Sequence, residues 1–65
     1  IANFPTYRCA EQLRNDIDYH ELPVTVVSVG SGFSYGNLGF SHHAVSDYGL
    51  MRTFSNFSIL SPGNI

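Results

Sequence analysis

The sequence predicts an α/β fold, a partial parallel sheet with crossover helices, and three observations carry that prediction. A helical periodicity opens the chain, a β-branched run with no polar face follows, and a glycine-rich loop then leads to a second short helix and a second apolar run. A run without a polar face suits a parallel strand covered by helices on both sides, and parallel strands are joined by crossovers of helical length. The order helix, strand, loop, helix, strand is therefore one section of such a sheet, with residues 1–65 forming part of a single domain.

From about Tyr7 to Leu22 the apolar positions Ala10, Leu13 and Ile17 recur at helical spacing, while Glu11, Gln12, Arg14, Asn15 and Asp18 fill the other faces. Thr6 stands where a cap would, and Pro23 stops the helix because it lacks an N–H and its ring clashes with the preceding turn. Val24 to Val29 reads as a central strand. Gly30, Gly32, Gly36 and Gly39 then fall within ten residues, so the backbone can turn tightly and approach a ligand where a Cβ would obstruct it. A short helix is expected from about Ala44 to Thr53. Phe57 to Leu60 follows as a second strand, closed by the Pro62-Gly63 turn. Ligands of open parallel sheets bind beyond the carboxyl ends of the strands, which is where the loop from Gly30 to Ser41 lies.

Composition bounds the function. A chain of 65 residues buries only about 60 % of the surface its unfolded form exposes, and the single Cys9 excludes an internal disulfide. Charged residues are 12 % and hydrophobic ones 43 % of the chain, against roughly 25 % charged in an ordinary soluble domain. Much of its surface is thus expected to be covered by further protein. The net charge of −2 and the lack of a Lys/Arg cluster argue against nucleic acid or an anionic membrane as partner. No apolar run approaches the roughly 20 residues that span a bilayer, and a cytoplasmic setting is the default expectation.

Three local patterns compete for the loop. Gly32-Phe33-Ser34-Tyr35-Gly36 spells the G-x-S-x-G of a nucleophile elbow, but the residues after Ser34 are a poor helix start, and His42 precedes Asp47, the reverse of that fold's order. Gly30-Ser31-Gly32 opens like a dinucleotide fingerprint whose third glycine position holds Tyr35. A metal site from His42 and His43 with His20 or Cys9 lacks ligand spacing, since adjacent histidines point apart.

Taken together, the residues resemble the pyrimidine-binding domain of transketolase-family thiamine diphosphate enzymes, over nearly the whole chain. The matching pieces are Phe4-Pro5-Thr6-Tyr7-Arg8 with Glu11-Gln12, the strand from Pro23 to Val29, the glycine loop and Gly39-Phe40-Ser41-His42-His43. Asp47 with Leu50-Met51-Arg52, and Asn56 before Ile59-Leu60-Ser61-Pro62-Gly63, complete them. The resemblance implies that Phe4 stacks on the aminopyrimidine of the cofactor, with Tyr7 widening that apolar wall. It implies further that His42, the histidine of a Ser/Thr-His motif, faces the reacting carbonyl as a hydrogen-bond donor and proton shuttle. His43 falls at a less constrained place.

The implied activity is transfer of a two-carbon ketol or acyl unit from a ketose or 2-oxo acid, with the cofactor held between two chains or domains of a homo- or hetero-oligomer such as a dimer. The diphosphate and its Mg²⁺ belong to a separate domain or subunit, and the glutamate that activates the cofactor belongs to an upstream segment, so the chain alone is expected to be inactive. Three positions depart from the family. Leu38 replaces an aspartate that contacts a substrate hydroxyl, Gly30 replaces a histidine that helps bind phosphate, and Ser46 replaces an acid, with Asp47 beside it. These changes leave a non-catalytic subunit or remnant, serving as an assembly interface, as the alternative reading.

Overall fold

The architecture comes from a computed structural model that describes residues 1–64. Three helical segments, Phe4–Arg8, Ala10–Gln12 and Leu13–Asp18, with a turn at Cys9 between the first two, form the first helix, α1. Two single turns of 3₁₀ helix, Gly36–Leu38 and Phe40–His42, shape the loop, and Asp47–Met51 is α2.

Helix α1 begins earlier than its apolar spacing indicates because Pro5 sits in the first turn, where a missing N–H has no partner to lose. Thr6 is not the cap. It lies inside the helix, and its hydroxyl donates to the Ala2 carbonyl at 2.9 Å. The cap position belongs to Asn3, whose side chain makes no capping hydrogen bond. Near the far end the turns widen: the Tyr19 N–H donates to the Arg14 carbonyl at 2.9 Å and the Leu22 N–H to the Ile17 carbonyl at 3.1 Å, each five residues back.

The two helices share one small core. Leu13 of α1 is buried with Met51 of α2 and with Phe54, and Cys9, Ile17, Val26, Leu50 and Phe57 pack around them. Leu13 and Ile17 thus occupy the face that the periodicity assigned. Asn56 fastens the far end of α1, its backbone N–H donating to Asp18 Oδ1 at 2.9 Å and its side-chain amide to the Asp18 carbonyl at 2.8 Å.

The residues expected as strands make no ladder among the described residues. Val27 and Val29 are 78 % and 71 % exposed, the opposite of a strand covered on both faces. A parallel strand satisfies its backbone only through neighbouring strands, and a helix-length crossover does not oblige two successive strands to be neighbours. Residues 24–28 and 57–62 instead line a groove of about 880 Å³, together with residues of α1 and α2. Among the described residues no helix is long and apolar enough to cross a membrane.

Candidate functional site

A closed loop presents the candidate residues. Gly32 and Ala44 exchange two backbone hydrogen bonds, each 3.0 Å, which clip residues 32–44 at their base. Within the loop the Ser34 hydroxyl donates to the Ser31 carbonyl at 2.8 Å, and the chain after it makes a single 3₁₀ turn rather than a helix. The G-x-S-x-G spelling therefore is a turn serine bonded to its own backbone. Gly39 links the two 3₁₀ turns at φ +89°, ψ −178°, a conformation that is essentially restricted to glycine. That one residue aims the chain into Phe40–His42.

The adjacent histidines diverge. The His42 ring lies 6.0 Å from the Phe4 ring, centroid to centroid, with the planes inclined by 56°. Its Nδ1 is 3.0 Å from Ser41 Oγ. The serine hydroxyl can donate to that nitrogen or accept from it, and Nε2 is the other ring nitrogen. His43 turns back into the loop, where Nε2 donates to the Gly36 carbonyl at 3.3 Å and the ring packs edge-to-face with Phe33, 4.9 Å between centroids. Its contacts are those of a clasp.

Phe4 is half-buried, and Arg8, one helical turn on, places its guanidinium carbon 4.1 Å from the ring centroid. This cation–π contact covers one face of the ring. Tyr7 joins the two helices. Its phenol oxygen accepts a hydrogen bond from the Ser46 N–H at 2.7 Å, just ahead of α2, as a capping side chain would. Asn3 makes the remaining link, its amide Nδ2–H donating to the Ser41 carbonyl. Phe4 and His42 are thus brought together, and neither they nor Tyr7 line the groove.

Two departures from the family pattern also acquire a geometry. Gly30 has φ +83°, where a side chain is strained, and a Cβ there would overlap the Tyr35 ring, so a histidine at that position would require the ring to move. Leu38 is half-exposed on the loop. Among the described residues no group of His, Cys, Asp and Glu is arranged to hold a metal ion, so His20 and Cys9 do not join His42 and His43.

Sequence reasoning missed two residues of this site. Arg8 was detectable, because residues four apart on a helix lie on one face. Asn3 carried only the signal of a cap, and nothing local marks its reach to Ser41.

Over 63 residues, 97 % of this chain, the sequence is 38 % identical to an apulose-4-phosphate transketolase subunit of Actinobacillus succinogenes. The chain belongs to the transketolase family. A protein of the same name from Phocaeicola vulgatus is 36 % identical over 61 residues, and a transketolase C-terminal section from Methanocaldococcus jannaschii is 32 % identical over 62. This transketolase-family chain spans 20 % of the length of each of those relatives. No family model matches it, and no solved structure does.

Proposed function

We propose that this chain forms part of the pyrimidine-binding domain of a thiamine diphosphate-dependent, transketolase-like transferase that moves a two-carbon ketol or acyl unit. The observation that carries this reading is the meeting of Phe4 and His42, which stand far apart in sequence, at 6.0 Å. Its fold is a section of a parallel α/β sheet in which Val24 to Val29 and Phe57 to Leu60 are strands paired by segments beyond this chain.

The residues present fit the pyrimidine end of the cofactor. An aromatic ring at Phe4, beside the His42 imidazole, suits a planar heterocycle. When bound, thiamine diphosphate supplies the carbanion chemistry that breaks and makes carbon–carbon bonds next to a carbonyl. Phe4 holds the ring by stacking. His42 donates through Nε2 to the oxygen on which negative charge develops, with Ser41 Oγ holding the ring at Nδ1. Tyr7 keeps α1 and the start of α2 in register around the pair.

The diphosphate and Mg²⁺ fall to another domain or subunit, a division supported by two relatives being named as subunits of a transketolase. Those names also make a ketose phosphate the first substrate class to try. The deciding experiment is titration of the complete protein with thiamine diphosphate and Mg²⁺, followed by a ketol-transfer assay on ketose phosphates and 2-oxo acids. Saturable cofactor binding with turnover supports the enzyme. Binding to a partner subunit without cofactor affinity supports the non-catalytic assembly role instead.

A further inference from the structure

We propose that Asn3 is a positioning residue that holds His42 against Phe4, an inference that rests on the role given to His42 above. Asn3 directly precedes Phe4, and Ser41 directly precedes His42. The hydrogen bond from Asn3 Nδ2 to the Ser41 carbonyl therefore ties together the backbone at both members of the pair, across 38 residues of chain. Among the described residues it is the one hydrogen bond between residues 1–18 and the loop of residues 30–44. The other fastenings of the loop, Gly32 to Ala44 and His43 to Gly36, hold it to itself and leave its position against α1 undetermined.

Asn3 sets aside its ordinary local task to make this bond. An asparagine at a helix N-terminus normally turns its Oδ1 to a free N–H of the first turn. Here the side chain makes no such bond, is only 7 % exposed, and leaves Oδ1 buried without a partner. A buried acceptor left unpaired is unfavourable, so the amide is held in this orientation by what its other end does. The Ser41 carbonyl accepts only a donor, which settles the amide orientation with Nδ2 toward Ser41 and Oδ1 away. Neither an aspartate nor a leucine can replace that donor, although each has nearly the same size.

The test uses the complete protein with histidine ring labels and the variants Asn3→Asp and Asn3→Leu. Asn3→Leu carries no charge and covers the case in which a buried carboxylate prevents folding. In the folded variants the ring resonances of His42 should shift or broaden while those of His43 stay in place. Turnover should fall by about tenfold or more with KM and cofactor affinity within about twofold, and in a His42→Ala background the same Asn3 change should cost no more than about twofold. Unmoved His42 resonances, or an equal loss of turnover with and without His42, would overturn the proposal. If the resonances move but His42→Ala retains full turnover, Asn3 positions His42 and the catalytic reading of His42 is what fails.

Discussion

The Phe4 ring and the His42 imidazole lie 6.0 Å apart with their planes inclined by 56°, and the Arg8 guanidinium covers one side of Phe4. The pair forms where the start of α1 meets the closed loop, and each partner is supplied by a different local device. Pro5 and the helix start set Phe4, while Gly39 and a single 3₁₀ turn set His42.

Replacing Phe4 by alanine in the complete protein should weaken thiamine diphosphate binding by about 1–3 kcal/mol, the order expected for one buried aromatic contact. The reaction catalysed should be the same. Calorimetric titration measures the change, and an unaltered dissociation constant would reduce Phe4 to a local packing group.

His42→Ala should lower kcat by about 10²–10³, the usual cost of removing one donor to a developing oxyanion, with cofactor affinity nearly intact. His43→Ala should cost less, because its ring bonds the Gly36 carbonyl and Phe33 rather than facing Phe4. Steady-state kinetics of the two variants side by side decides the matter. Equal and small effects would make the loop a scaffold.

Tyr7→Phe keeps the ring but removes the acceptor of the Ser46 N–H. The expected result is a loss of about 0.5–1.5 kcal/mol in stability, seen in denaturant titration, with cofactor affinity unchanged. Tyr7→Ala should lower both. A Tyr7→Phe variant as stable as the parent would show that the phenol contributes nothing to the joining of α1 and α2.

Gly39→Ala places a Cβ on a backbone at φ +89°, ψ −178°, with open space around it, so the cost comes from the backbone alone. We expect about 1–3 kcal/mol of destabilisation and a loss of turnover through misdirection of His42. Gly36→Ala, equally open and free of a positive φ, is the control and should be tolerated. Similar melting temperatures for the two variants would mean that the turn at Gly39 does not need a glycine.

The 65-residue chain on its own should self-associate. Val27, Val29, Phe33, Phe40 and Leu60 are each at least 70 % exposed, and the extended segments present unpaired backbone beside them. Sedimentation at micromolar concentration measures this, and a monomer with a cooperative thermal transition would contradict it.

Local features were legible in the residues alone: the apolar face of α1 at Leu13 and Ile17, a loop turned by glycines, and opposed directions for two adjacent histidines; the end of α1 was not, since it stops at Asp18 with Glu21 at φ +53°, ahead of Pro23. The family was legible too, because the order and spacing of short motifs survive in the one-dimensional string. Helix periodicity and glycine conformations depend on neighbours within a few residues, which is why they can be read without a fold. Three other contacts emerged only once the chain was folded: Asn3 reaches Ser41 instead of capping its own helix, the Tyr7 phenol serves Ser46, and Tyr35 fills the space a side chain at Gly30 would need. Each of those side chains has both near and distant groups within its chemical reach. Which one it meets depends on where α1, the loop and α2 come to rest, and that is set by the burial of Leu13, Met51 and Phe54.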